Sequence, residues 1–126
     1  MNETNAVRLM LIAASKLGAR LWRQNTGHGW IGDATKFTRT QTITVQPGDV
    51  LIRKARPFHA GFEGLADIGG ISQTGQYVAV EAKTATGRVT DEQRNFIRMV
   101  RSFGGLAGVA RSDEDVEAIL RGEIRD

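Results

Sequence analysis

Apolar and polar residues alternate with two different periods along this chain, and the changes of period mark its elements. Over residues 3–17, Val7, Met10, Leu11, Ala14 and Leu17 follow helical spacing, and Gly18 is a fitting stop. Residues 19–25, with Leu21 and Trp22, predict a short strand, and Thr26-Gly27-His28-Gly29-Trp30 a glycine-rich loop. Residues 36–45 are rich in Thr and β-branched residues and run into Pro47-Gly48-Asp49, with 50–54 beyond. That pattern predicts a β-hairpin or an extended arm within 34–58. Residues 58–65, holding Gly61 and Gly64, read as loop.

The second half is more regular. Strands are expected at 67–72 and 76–83, joined by Gln73-Thr74-Gly75. Thr90-Asp91-Glu92-Gln93 has the form of a capping box and opens a helix with the apolar stripe Phe96, Ile97, Val100 and Phe103, ended by Gly104-Gly105. A buried strand at 106–110 and a helix at 113–121, capped by Ser112 and closed by Gly122, complete the chain. The fold class is α/β, a mixed α+β sheet in the order α-β-β-β-α-β with a terminal helix and helices on the sheet faces.

Composition narrows this picture. At 126 residues with 40% hydrophobic content, the chain suits one compact domain, 1–126. It has no cysteine, which excludes thiolate catalysis and cysteine-held zinc. No apolar run reaches bilayer length and the first residues are polar, so a cytoplasmic setting is expected. Net charge is only +3, but it is unevenly spread. Residues 1–66 hold nine Lys/Arg against four Asp/Glu, and residues 67–126 hold eight against ten. Ordinary solvated surface and a basic face for phosphates explain this equally well.

The hairpin carries the chemistry. Strand side chains alternate faces, so Val78, Val80 and Ala82 point to a core while Tyr77, Ala79, Glu81 and Lys83 share the other side. A three-residue turn with Gly75 in the left-handed position pairs Ser72 with Gln76, Ile68 with Val80 and Gly69 with Ala79. Asp67 then faces Glu81, with Cβ atoms about 4.5–5.5 Å apart. Two like charges there repel unless a cation lies between them, and Mg²⁺ takes carboxylate oxygens in this way. Gly69 and Ala79 would leave room for a substrate backbone. The plainer alternative is a solvent-facing hairpin whose charges pair with one another, against which stand the nonpolar flanks Gly64-Leu65-Ala66 and Val78-Ala79-Val80.

Asp67 followed by Glu81-Ala82-Lys83 resembles the PD-(D/E)xK nuclease signature. More of the chain resembles one branch, the VRR-NUC domain. The matching stretches are Trp22-Arg23-Gln24-Asn25-Thr26-Gly27, Gly64-Leu65-Ala66-Asp67-Ile68-Gly69-Gly70, Glu81-Ala82-Lys83, Thr90-Asp91-Glu92-Gln93 and Gly104-Gly105-Leu106-Ala107-Gly108-Val109-Ala110-Arg111. Ala66 departs from the proline of the signature's name. The resemblance implies a restriction-endonuclease-like core and metal-dependent hydrolysis of DNA phosphodiesters. It also implies likeness to stand-alone, virus-type (phage) members that resemble Holliday junction resolvases and tend to be homodimers.

By the same resemblance the metal ligands are Asp67, Glu81 and the carbonyl of Ala82, with Glu3 as a further carboxylate. The catalytic set is Asp67, Glu81, Lys83 and Gln93. Mg²⁺ is the expected cofactor, with Mn²⁺ as a substitute. Lys83 orients or deprotonates the attacking water, or stabilises charge on the phosphoryl group. Gln93 fixes the water or Lys83, serves as the capping residue, or does both. Glu3 reads equally as a ligand and as a favourable first-turn acid. Arg20, Arg23 and Lys36 are the leading DNA-contact candidates, followed by Arg39, Arg53, Lys54 and Arg56. His28 reads as ordinary loop, as a DNA contact or as an acid, and Trp22 and Trp30 as core or interface. Three functions fit: a junction-resolving DNA endonuclease, a sequence-specific or nicking nuclease of the same fold, and a catalytically silent DNA-binding module.

Overall fold

A computed structural model describes residues 3–24, 27–28, 35–54, 56 and 59–126. Helix α1 (Glu3–Lys16) ends where Gly18 takes φ +76, a left-handed turn that suits glycine. It leads into strand β1 (Arg20–Arg23). Gly27–His28 and His59–Ala60 form a two-residue antiparallel pair, β2 and β3, where loop was expected on both sides. A pairing this short leaves no periodic signal in sequence.

Strands β4 (Ile68–Ile71) and β5 (Tyr77–Ala82) form the expected hairpin. Ile68 faces Val80, Gly69 faces Ala79, and Gly75 has φ +87 in the turn. The Ser72 N–H donates to the Gln76 carbonyl at 2.9 Å, closing the three-residue loop. Helix α2 (Asp91–Ser102), strand β6 (Leu106–Ala110) and helix α3 (Asp113–Leu120) follow.

The main sheet runs β1-β4-β5-β6, antiparallel except for the parallel β5–β6 pair. α1 and α3 cover one face, where Val7, Met10, Ala14, Leu21, Ile68, Val78, Val80, Val116 and Ile119 form a core. α2 packs on β5 and β6 from the other side, and Phe96, Ile97 and Val100 meet Ala66, Ala79, Ala107 and Val109. This is the mixed α/β architecture expected, with β2–β3 added.

The limited reach of α2 leaves two apolar side chains uncovered. Trp22 lies on β1, beyond the strands that α2 packs on, and is 46% exposed, which removes the core alternative of its core-or-interface reading. Phe103 is the C-cap residue of α2 and is 85% exposed, because the turn through Gly104 carries the chain away before its ring is covered.

Residues 35–54 are exposed throughout and form no strand. Among the described residues of 34–58, only the turn of the expected hairpin is present. The Asp49 N–H donates to the Gln46 carbonyl at 3.0 Å, and the Gln46 N–H to Asp49 Oδ2 at 2.8 Å. An isolated two-stranded ladder is marginal in water, and no described element covers this one.

Candidate active site

The hairpin register sets the site. Asp67 lies one residue before β4, opposite Glu81 by continuation of the ladder. Its backbone is tied on the β1 side, where the Gln24 N–H donates to the Asp67 carbonyl at 2.7 Å. Its side chain reaches across the hairpin, and Oδ2 accepts from the Ala82 N–H at 3.2 Å.

Glu81 is only 2% exposed. Its Oε1 accepts from Gln93 Nε2 at 2.8 Å and lies 3.5 Å from Lys83 Nζ. Its Oε2 is buried with no hydrogen-bond partner among the described residues. An unsatisfied buried carboxylate oxygen is costly. Burial chiefly, then the negative charge of Asp67 and a hydrogen bond that the protonated Glu81 carboxyl shares with it, push the Glu81 carboxyl up to about 8, while the Lys83 ammonium opposes them.

Gln93 owes its position to the helix start. The Thr90 N–H donates to Gln93 Oε1 at 2.9 Å, and Thr90 Oγ1 accepts from the Gln93 N–H at 3.2 Å, a complete capping box. An N–H occupies Oε1, so the amide must turn its NH₂ end to Glu81. Capping and site roles therefore coexist in one side chain, and its site partner is Glu81 rather than Lys83. α2 in turn is seated closely. Gly64 (φ +91) lies so near its first turn that a Cβ would come within 2.5 Å of the Glu92 carbonyl oxygen.

Lys83 follows β5 directly, with its N–H donating to the Ala110 carbonyl at 2.9 Å. The loop beyond is held by Arg111, whose Nη1 donates to the Thr84 and Gly87 carbonyls at 2.6 and 2.8 Å. Sequence reasoning gave Arg111 and Gln24 no role. Both lie within stretches of family likeness, which was the available signal.

The expected room beside Gly69 and Ala79 is filled. Ala79 is buried under α2, and the Gln24 amide sits where a side chain on Gly69 would be, 2.4 Å from an ideal Cβ. Tyr77 Oη donates to Gln24 Oε1 at 3.3 Å and closes the same row. A nearby groove of about 720 Å³ runs between α2 and the hairpin, lined by Phe62, Leu65, Tyr77, Phe96 and Met99. It holds neither carboxylate and is apolar, so it is not where the charged chemistry sits.

The other expected residues are scattered. Arg20 and Arg23 are exposed on the edge strand, and Arg23 pairs with Ile68, next to Asp67. Lys36, Arg39, Arg53, Lys54 and Arg56 are exposed along the arm and its end. Glu3 begins α1, and its side chain, like that of His28, lies outside the described residues, as does Trp30.

The pair Asp67 and Glu81 fits a divalent cation. Two carboxylates converge, one oxygen is buried without a partner, and an ammonium stands beside them. Among the described residues, no group of three or more His, Cys, Asp or Glu side chains could hold a metal, and a Mg²⁺ ion held by two carboxylates completes its shell with water and other oxygens. No helix among the described residues is long and apolar enough to cross a membrane.

The family model of the VRR-NUC domain matches residues 19–114. The matched span contains Asp67, Glu81, Ala82, Lys83 and Gln93 and excludes Glu3. No curated protein matches the chain.

Proposed function

The chain belongs to the VRR-NUC domain family, a nuclease domain of the restriction-endonuclease-like superfamily, and on that premise we propose that it is a Mg²⁺-dependent DNA endonuclease. The observation that carries the metal is the unpartnered Oε2 of Glu81, buried against Asp67. Asp67, Glu81 and the carbonyl of Ala82 would hold the ion, with Glu3 as a further carboxylate and Mn²⁺ as a substitute. Once bound, the cation supplies charge neutralisation at the phosphoryl group and water activation.

The chain's own residues do the rest. Gln93 holds Glu81 by Oε1, which leaves Oε2 for the ion. Lys83, kept in place by Glu81 and by its bond to β6, orients the attacking water or takes its proton, and stabilises charge that grows on the phosphoryl oxygens. Arg20, Arg23 and Lys36 contact the DNA backbone. Junction selectivity and a homodimeric state extend this reading and rest on the resemblance to stand-alone family members.

Cleavage of a four-way junction, a flap and plain duplex, with Mg²⁺, Mn²⁺ or EDTA, tests it. Cutting should require the metal, favour the junction and fall by at least about 10³-fold in Asp67→Ala and Lys83→Ala, with junction binding retained. Full cutting in EDTA or in Asp67→Ala overturns the mechanism. Binding with no cutting under any condition would instead mark a silent DNA-binding module. Light scattering at micromolar concentration should give the dimer mass, and a monomer mass overturns that part.

A further inference from the structure

Asp67 poses a positional problem. It lies past the last residue pair of β4 and β5, and across the hairpin one bond, from the Ala82 N–H to Oδ2 at 3.2 Å, holds its carboxylate. A ligand is useful only if its carboxylate is held in advance. On the opposite strand Gln93 does this for Glu81.

We propose that Gln24 is the corresponding positioning residue for Asp67, a clamp that sets metal affinity from the neighbouring strand. This rests on the proposed function, in which Asp67 holds the cation. Gln24 touches the segment twice. Its backbone N–H donates to the Asp67 carbonyl at 2.7 Å, and its side-chain Nε2 donates to the Ala66 carbonyl at 3.2 Å. Ala66 is buried, so its carbonyl needs a donor from the protein. With Tyr77 Oη on Oε1, the amide is held at both ends. The clamp also explains Gly69. The three nearest atoms to a Cβ at that position are all from the Gln24 amide, at 2.4–2.6 Å. Glycine is therefore the residue that lets the amide lie across β4. Two glutamines thus flank the pair: Gln93 of α2 holds the Glu81 carboxylate, and Gln24, directly after β1, holds the backbone that carries Asp67.

The test is Mn²⁺ binding to the metal-free full chain without DNA, read by electron paramagnetic resonance, with thermal unfolding followed in parallel. Gln24→Met keeps the bulk over Gly69 and the backbone bond but loses the amide. It should weaken Mn²⁺ by about tenfold, the lower end of what loss of a ligand's supporting hydrogen bonds does. Gly69→Ala, which pushes the amide aside without deleting it, should produce a similar loss. Added to Gln24→Ala, where the space is empty, Gly69→Ala should cost no further affinity, the signature of one shared interaction. If Gln24→Met and Gly69→Ala bind Mn²⁺ like the wild type while Asp67→Ala does not bind it, the clamp is overturned and the metal site stands. A lower melting temperature with unchanged affinity likewise overturns it, since packing alone would do that. Mn²⁺ binding that survives Asp67→Ala, or no saturable binding by the wild type, overturns the metal reading and the clamp with it.

Discussion

From Val78 to Ala82 the two faces of β5 are both buried and built on opposite principles. On one, Val78, Val80 and Ala82 join Ile68 under α1 and α3, an apolar surface with nothing to satisfy. On the other, Ala79 and Glu81 lie under α2, and Glu81 keeps one oxygen without a partner. The first face stabilises the fold by roughly 25 cal/mol per Å² removed from water. The second gives stability away, since an ionised carboxylate resists burial. Such a cost is a common mark of a functional site, and the difference separates what makes this domain fold from what makes it act.

Substitutions on the two faces should therefore differ in sign. The largest effect is expected at Ile68→Ala, about 3 kcal/mol of destabilisation in urea unfolding, from lost burial and the cavity left behind. A loss under about 1 kcal/mol would break the comparison.

Glu81→Gln should instead stabilise the metal-free protein at pH 8, by on the order of 2 kcal/mol, while removing metal binding. The pH dependence follows from the raised carboxyl. It titrates near 8 in the fold, against 4.5 for an ordinary glutamate, so the fold favours its protonated form. That contribution is complete below about pH 4.5 and is lost as pH rises through about 8. Melting temperature of the metal-free wild type should fall over this window, and Glu81→Gln should flatten the fall. A wild-type profile that rises instead would refute the burial account.

A smaller effect tests the link between cap and site. Thr90→Ala removes the side-chain half of the capping box but keeps the backbone N–H that orients Gln93, so it should cost about 1 kcal/mol and leave Mn²⁺ affinity within about twofold. A tenfold affinity loss would show that the cap and the carboxylate do not separate.

The smallest effect lies away from both faces. Lys36→Ala should weaken junction binding uniformly across sequences and lower the salt slope by about 1 if Lys36 meets one phosphate. An unchanged slope would remove it from the DNA contacts.

The hairpin and the arm show why the sequence was legible in one place and not in another. Both contain a turn with a left-handed glycine, Gly75 at φ +87 and Gly48 at φ +94. In the hairpin, alternation placed Ile68 and Val80 on a face that helices cover, so turn and core agreed on one register. In the arm the turn formed, but no described element covers its apolar residues and no ladder followed. The chance that Gly69 and Ala79 left room for substrate was misjudged for a related reason: Gln24 is distant in sequence, and nothing local announces that its amide fills that space.

By itself the sequence determined the features that depend on near neighbours. These are the opposition of Asp67 and Glu81 through a three-residue turn, the Thr90–Gln93 capping box, and the caps of the last two helices. Each is specified by chain geometry over a few residues. The tertiary structure alone decided that Glu81 would be buried, that Gln93 would turn its NH₂ end to it, and that Gln24 would lie across Gly69. Those outcomes depend on where α2 and β1 settle on the sheet, and packing over long separations sets that position.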